Sequence, residues 1–291
     1  MINLEQNTDR RFLLDTSAFY SLSHDDMKSL IDKGFFFFAS PYSCWELLCH
    51  LDEPNNFARM KAILLKFQYV TILDSPSAEA EKALVKSQDD RISETEFVQA
   101  CLAALQHADS LEALYSSYIH DSKNEYREIA NVAERARDIL NKLETEYSQF
   151  ATKIVTHFRT SEHIQDPTNY QNLILNMVLG EFRKLHNRHP LVQLSGDEVI
   201  RWFYVYCGYI FYRCLNRLEQ GGIIDKNDYE DSNFCLHLKI DSEFHPVTGD
   251  KGTLDALKQL VSITNQSHEF QIVLKFRVYQ ASDLKKLAAA A

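Results

Sequence analysis

The chain lacks the features that mark a secreted, zinc-binding or membrane-spanning protein. Its six cysteines form no Cys-x-x-Cys pair and no histidine lies at zinc-finger spacing, which speaks against a disulfide framework and a structural zinc site. The first eleven residues are polar and lack the apolar core of a secretory signal. The most apolar window, residues 199–215, contains two arginines and is shorter than the ~20 residues of a membrane span, which predicts a buried helix. We therefore expect a cytoplasmic protein with reduced thiols and no membrane partner.

Glycine is scarce, and its distribution divides the chain into two kinds of sequence. None occurs between Gly34 and Gly180, and apolar residues over 130–143 recur at three- and four-residue spacing. This spacing is typical of amphipathic helices, which place one apolar face on a core. A Gly-Gly pair at 221–222 ends the helical pattern. The pattern predicts an all-α insertion over residues 75–221.

The sequence on either side of this insertion alternates between short apolar runs and helical patterns. The apolar runs are residues 11–14, 35–39, 69–73, 244–248 and 270–276. The helical patterns are residues 23–33, 41–48, 57–67, 228–238 and 253–263. Such alternation is typical of a parallel sheet with right-handed crossovers. We therefore predict a discontinuous α/β domain formed by residues 1–74 and 222–287, followed by a cloning-derived tail at 288–291.

The net charge of −10 argues at first against a nucleic-acid partner, because phosphate binding depends on lysine and arginine. The acidic excess is concentrated in residues 74–150, which have 16 acidic and 8 basic side chains. Residues 151–220 are slightly basic and contain the cluster Arg183, Lys184 and Arg188. This cluster is the best candidate for a phosphate-contacting surface, and a solvated helix end is the alternative interpretation.

Four carboxylates occupy comparable positions relative to the predicted strands. Asp15 directly follows the first strand, and Glu46 lies early in the helix after the second. Asp231 lies in the helix after the insertion, and Asp250 follows the fourth strand. In a parallel sheet these strand ends lie at one edge, where open α/β sheets bind their ligands. We therefore expect the four acids to converge on one site.

Converging carboxylates repel one another strongly unless cations neutralise them. Divalent ions that prefer oxygen ligands, Mg²⁺ or Mn²⁺, are the matching counter-charge. Such ions lower the pKa of a bound water and stabilise the in-line displacement at a phosphodiester. The carboxylates therefore predict metal-dependent hydrolysis of a phosphoester.

Four short motifs in this order resemble those of the PIN-domain nucleases. They are Leu13-Leu14-Asp15-Thr16-Ser17, Ser43-x-x-Glu46-Leu47-Leu48, Asn227-Asp228-x-x-Asp231 and Val247-Thr248-Gly249-Asp250-Lys251. The resemblance covers about residues 10–74 and 222–280. It implies a three-layer α/β/α fold, a Mg²⁺ or Mn²⁺ site, and cleavage of RNA or of another single-stranded or structured nucleic acid.

The resemblance also implies roles for individual residues. The catalytic, metal-binding acids would be Asp15, Glu46, Asp231 and Asp250. Ser17 and Thr248 would hold them by hydrogen bonds, and Asp228 is an additional or alternative third acid. The insertion departs from the shorter chains typical of the family, so substrate choice, a regulatory protein partner and a homo-oligomeric state all stay open.

Each candidate also has a purely structural interpretation. Asp15 precedes two hydroxyl residues, as a helix N-cap often does. Asp228 lies at the start of its predicted helix and also fits an N-cap. Glu46 fits a solvated helix carboxylate, and Asp231 fits a first-turn acid that complements the helix dipole. The aromatic residues at 202–212 could stack nucleobases, but aromatics in so apolar a window are more typical of a core.

Two other functions fit parts of the sequence. The segment 249–255 also resembles the Gly-Asp-x-x-x-Asp motif of haloacid-dehalogenase-type phosphatases, but that family begins with an Asp-x-Asp nucleophile motif and position 17 is serine. A catalytically degenerate PIN-like scaffold would instead bind a protein partner through the helical insertion. The main prediction is a metal-dependent nuclease, most simply an endoribonuclease of the kind found among toxin-like, defence and RNA-processing enzymes.

Overall fold

The centre of the protein is a five-stranded, all-parallel sheet. The computed structural model describes residues 10–85, 94–120, 126–129, 132–160, 164, 166–190, 195–219, 227–266 and 271–289. The strands of the sheet are β1 (Arg11–Leu14), β2 (Phe36–Ala39), β3 (Val70–Ile72), β6 (His245–Thr248) and β7 (Tyr279–Gln280). A separate antiparallel pair consists of β4 (Tyr118–His120) and β5 (Tyr126–Glu128). The predicted α/β class and the parallel sheet are confirmed.

Helices cover both faces of this sheet. Those before the long central segment are α1 (Thr16–Ser21), α2 (His24–Asp32), α3 (Pro41–Leu48) and α4 (Phe57–Leu64). The central segment contains α5 (Pro76–Val85), α6 (Glu94–His107), α7 (Leu111–Tyr115), α8 (Val132–Thr160), α9 (Tyr170–Arg188) and α10 (Gly196–Glu219). The last helices are α11 (Asn227–Cys235), α12 (Lys251–Gln266) and α13 (Ala281–Ala289).

Local capping chemistry explains where the early helices begin and end. Ser23 and Asp26 form a capping box at the start of α2, which satisfies amides that the first helical turn leaves without partners. Gly34 follows the helix with φ of 81°, a conformation that favours glycine. Ser40 caps α3 and Pro41 occupies its first position. These boundaries agree with the sequence prediction.

The strand order places a topological switch point beside Asp15. The order is β3-β2-β1-β6-β7, so the chain first builds outward from β1 in one direction and later returns to its other side. Leu14 at the end of β1 pairs with Val247 of β6, and the amide of Asp15 donates to the Val247 carbonyl at 3.1 Å. Open α/β sheets bind ligands at the carboxyl ends of strands where the order reverses.

The predicted last strand at 270–276 is wrong, and β7 begins three residues after it. Residue 270 lies outside the described residues, while side chains from Gln271 to Phe276 alternate between exposed and buried. The apolar run that suggested a strand is therefore partly buried without forming one. The backbone here is instead held by a side chain: Asn265 accepts from the Leu274 amide at 2.7 Å and donates to its carbonyl at 2.9 Å.

Two further features of the terminal and central segments differ from the sequence patterns. Helix α13 continues to Ala289, and the Lys33 ammonium donates to the carbonyls of Leu287 and Ala288 at 2.9 and 2.8 Å. The tail predicted at 288–291 is thus helical over its first two residues. In the central segment, the β4–β5 pair adds strands to a region predicted to be all-α; Ala130 and the Gly-Gly pair at 221–222 lie outside the described residues.

The central segment shares the hydrophobic clusters on both faces of the sheet. Phe97 of α6 stacks on the buried Trp45 of α3 with ring centroids 5.4 Å apart, in the same hydrophobic cluster as Phe12 and Leu14 of β1. Leu13 faces the opposite cluster, which contains most of α10. Because successive residues of a strand point to opposite faces, β1 joins both clusters. The helices of residues 75–219 therefore form part of the layers on both sides of the sheet.

Helix α10, which contains the apolar window at 199–215, is buried as predicted. Tyr204, Tyr209 and Phe211 are fully buried, so most of the aromatic run at 202–212 is core rather than a base-stacking surface. Within the described ranges, no helix has the length and apolarity to cross a membrane. All six cysteines are buried, and none of them forms a disulfide within the described chain.

Candidate functional site

Asp15 lies at the carboxyl end of β1 and is almost completely buried. Its Oδ1 accepts hydrogen bonds from the Ala18 amide at 2.8 Å and the Ser17 hydroxyl at 2.7 Å, so the residue is also the N-cap of α1. Its Oδ2 is buried and has no hydrogen-bond partner among the described residues. Leaving a charged oxygen without a partner in the interior is costly, so this atom is a candidate ligand for a cation.

The unpartnered oxygen belongs to a residue that lines a small polar pocket, here called the acidic pocket. The lining residues are Asp15, Thr16, Ser40, Tyr42, Ser43, Glu46, Asp231 and Phe234. They come from the end of β1, the start of α3 and the middle of α11, which are far apart in the sequence. Three of the four predicted acids, Asp15, Glu46 and Asp231, are therefore brought together.

Asp231 is held by a chain of hydroxyl groups that the sequence motifs did not indicate. Its Oδ2 accepts a hydrogen bond from the Thr253 hydroxyl at 2.5 Å. Since this bond uses the only hydroxyl hydrogen of Thr253, the Tyr209 hydroxyl, 3.2 Å away, donates to Thr253 in turn. Thr253 and Tyr209 are both fully buried, so this chain fixes Asp231 from α12 and α10.

Burial makes both aspartates poor anions in this structure. Desolvation by burial raises the pKa of the Asp15 carboxyl to about 6, although the hydroxyls of Thr248 and Ser17 and the Ala18 amide act in the opposite direction. Burial, and then the nearby charge of Asp15, raise the pKa of Asp231 well above its ordinary value. A bound cation would reverse this effect, because it would stabilise the charged forms of both groups.

Asp250 lies close to the pocket but does not line it. Its Oδ1 accepts from the Thr253 amide at 2.6 Å and so caps α12, and the same atom lies 3.5 Å from the Arg213 guanidinium. Arg213 is buried on α10 and crosses α12 at Gly252, where a Cβ atom would lie 1.3 Å from its Nη1. A side chain at position 252 would displace the end of this arginine, which supplies a positive charge from the central segment.

The two predicted supporting hydroxyls join α1 to the end of β6 and the loop that follows it. Ser17 donates to Asp15 and accepts from the Gly249 amide, and its Oγ lies 3.4 Å from the Thr248 hydroxyl. Thr248 also accepts from the Asp250 amide at 2.9 Å. Asp228 lies in the first turn of α11, and its side chain lies outside the described part of the chain.

The acidic pocket offers carboxylate oxygens, which Mg²⁺ or Mn²⁺ prefers as ligands, but it does not surround an ion completely with protein ligands. Across the described residues, no three histidine, cysteine, aspartate or glutamate side chains are close enough to hold an ion by themselves. Mg²⁺ is often bound by one or two carboxylates and keeps several waters, so an incomplete cage is compatible with it. The unpartnered Oδ2 of Asp15, together with the raised pKa of Asp15, is the feature that fits such an ion.

The predicted basic cluster lies on α9, and two of its three members line a second cavity. All three side chains are exposed; Lys184 and Arg188 border a cleft of about 360 Å³ next to the acidic pocket, and Arg183 does not line it. Arg201, which follows this cluster in the sequence, instead pairs with Asp241 at 2.7 Å. Two members of the cluster therefore lie at the rim of the cleft, and Arg183 lies away from it.

Comparisons of the chain with protein-family models, with curated proteins and with solved structures find no match. The class of protein is therefore defined by its own geometry, as an α/β protein with an acidic pocket at a topological switch point. The PIN-like identity and the metal site stay predictions.

Proposed function

We propose that the protein is a metal-dependent nuclease with a PIN-like catalytic edge, and that RNA is its favoured substrate. The observation that carries the proposal is the buried Oδ2 of Asp15, which has no partner among the described residues and whose carboxylate faces Asp231 and Glu46 across the acidic pocket. A proton or a cation must compensate its charge. Three carboxylates at a sheet edge favour the cation.

Asp15 and Asp231 would hold a Mg²⁺ or Mn²⁺ ion together with waters, and Glu46 and Asp250 would add to the negative field of the acidic pocket. When bound, such an ion supplies a hydroxide from water at neutral pH and stabilises charge on a phosphodiester. The protein keeps the acids in place through Ser17 and the Ala18 amide, which fix Asp15.

The remaining residues of the site control charge and orientation. Thr253 holds one oxygen of Asp231, which leaves the other oxygen for an ion or for water. Arg213 lowers the net negative charge through its contact with Asp250, which would reduce repulsion of an incoming phosphate. These contacts support a site that is positioned before its substrate binds.

The direct test is incubation of the purified protein with labelled RNA and DNA in Mg²⁺ or Mn²⁺, with chelator as a blank. We expect metal-dependent cleavage that falls at least about a thousandfold in Asp15→Asn, since that change removes an ion ligand. Asp52→Asn is the matched control. Asp52 is an aspartate like Asp15, but it follows α3 and pairs with Arg137 on the surface. Equal cleavage by wild type and Asp15→Asn would refute the nuclease.

The same experiment separates the two alternative functions. Absence of both cleavage and metal binding would favour the catalytically degenerate scaffold, with residues 75–221 as the surface for a protein partner. Hydrolysis of a phosphomonoester in place of RNA would favour the phosphatase. The structure gives the phosphatase little support, because Ser17 donates its hydrogen to Asp15 where a second carboxylate would be needed.

A further inference from the structure

The cleft beside the acidic pocket is formed largely by the central segment. Tyr42 lines both cavities, and Asn233 in the cleft is followed in the chain by Phe234 in the pocket. The other walls come from α5, α8, α9 and α10. Its volume of about 360 Å³ lies within the range of small-molecule sites, roughly 300–1,000 Å³. A group bound in this cleft would therefore lie next to the candidate catalytic acids.

Aromatic rings and two cations give this cleft its chemistry. Phe150 of α8 and Tyr206 of α10 line the cleft, and each side chain is partly exposed. The Lys184 ammonium lies 4.7 Å from the centroid of the Phe150 ring, and Arg188 lies in the last turn of α9. Aromatic faces beside basic side chains are the combination that binds single-stranded nucleic acid.

The charges of the cleft favour a stacked base over a simple phosphate site. Lys184 pairs with Glu181 at 2.6 Å, and Glu146 also lines the cleft, so the acids balance the two cations. Attraction of phosphate alone would be weak here, and stacking must contribute most of the affinity. A base inside a duplex is already stacked on its neighbours, so only an unpaired base can enter.

We infer that the cleft binds one unpaired nucleotide of single-stranded RNA, beside the phosphodiester that reaches the acidic pocket. The base stacks on Phe150 and Tyr206, while Arg188 and Lys184 contact the neighbouring phosphates. This inference rests on the proposed nuclease function, which it deepens by placing the substrate. It also assigns a role to the central segment, which selects single-stranded over duplex RNA.

The test measures binding apart from cleavage. A short fluorescent single-stranded RNA is titrated in an anisotropy assay against protein carrying Asp15→Asn, which leaves the RNA intact. Adding Phe150→Ala should weaken binding roughly 5- to 100-fold through lost stacking, and Arg188→Gln roughly tenfold. Arg183→Gln is the matched control one residue from Lys184, and it should change affinity by less than about twofold because Arg183 does not line the cleft.

Photocrosslinking tests the same inference without any substitution in the cleft, so it does not depend on whether a cleft variant folds. A photoreactive uridine in the same RNA should crosslink to peptides that contain Phe150 or Tyr206. Crosslinks confined to other surfaces, unchanged affinity in Phe150→Ala, or equal affinity for duplex RNA would each overturn the inference. RNA bound in the cleft but left uncut by wild type would refute the nuclease alone, whereas cleavage with no effect of cleft variants on binding would refute the cleft alone.

Discussion

Carboxylates lie at two places where the central segment meets the rest of the protein. Asp52 lies at one and the Asp15–Asp231 pair at the other, and their pKa values are shifted in opposite directions. Asp52 forms two hydrogen bonds of 2.7 Å with the Arg137 guanidinium of α8, and these bonds lower the pKa of its carboxyl. Asp15 and Asp231 have a raised pKa because they are buried. Arg137 neutralises the charge of Asp52 within the chain, whereas the charge of Asp15 and Asp231 needs a proton or a cation from solution.

The difference shows how structural and functional acids can be separated in a chain of unknown activity. The Asp52 pair has both oxygens satisfied, as expected of a contact that only joins two segments. Asp15 has one satisfied oxygen, which caps a helix, and one without a partner among the described residues. A structural N-cap needs only the first oxygen, so the second one carries the functional argument.

The largest effect on folding stability is expected from neutralising Asp15 in the presence of chelator. The folded pKa of about 6 lies above the ordinary 3.8, so the folded protein binds the proton more tightly than the unfolded chain. Wild-type stability should therefore fall as pH rises from about 4 to 6, with a cost of about 3 kcal/mol at neutral pH. Asp15→Asn should recover much of this cost, measured by urea unfolding at both ends of that range.

Asp52 should change the stability of the protein with pH in the opposite direction to Asp15. Hydrogen bonds from Arg137 lower its folded pKa, so its contribution is present at neutral pH and is lost as pH falls through that value. Asp52→Asn should therefore destabilise the protein at neutral pH, where Asp15→Asn stabilises it. If both variants shifted stability in the same direction, the contrast between the two groups would fail.

A divalent ion should have the next largest effect. Mg²⁺ or Mn²⁺ at a hundredfold excess over its dissociation constant should raise the free energy of unfolding of wild type by about 2.7 kcal/mol. Thermal denaturation with and without the ion should show this shift in Asp52→Asn but not in Asp15→Asn. A shift of equal size in all three proteins would place the ion outside the acidic pocket.

Gly252→Ala tests the cation that the central segment contributes beside the acids. The added methyl would lie 1.3 Å from the Arg213 Nη1, so the buried arginine must move, at a cost of about 1–3 kcal/mol. Gly180→Ala is the matched control, because its Cβ would meet no atom within 4 Å and alanine favours a helix. Equal stability of both variants would show that Arg213 adapts without loss.

The smallest effect is expected from Arg137→Gln at the balanced contact. The pair is partly exposed, so removing it should cost about 1 kcal/mol even though its geometry is bidentate. Chemical denaturation should detect this loss while RNA cleavage stays unchanged. Loss of cleavage in this variant would instead connect the surface pair to the acidic pocket.

The elements nearest the site were predictable because their signals are local. Ser23, Ser40 and Pro41 mark helix starts through hydrogen bonds and backbone angles within a few residues. The last strand was predicted wrongly, since an apolar run at 270–276 does not say whether a neighbouring strand or Asn265 satisfies the backbone. Hydrogen-bond partners distant in sequence leave no trace in a local pattern.

The sequence by itself determined that acids follow parallel strands and begin helices, because strand ends, caps and apolar runs depend on neighbouring residues. Only the tertiary structure decided that Asp15 keeps one oxygen without a partner in the described chain, and that Asp250 turns toward Arg213 rather than into the pocket. It also decided that Thr253 and Tyr209 hold Asp231. These outcomes depend on packing between α10, α11 and α12, and side-chain contacts across such distances have no local signature.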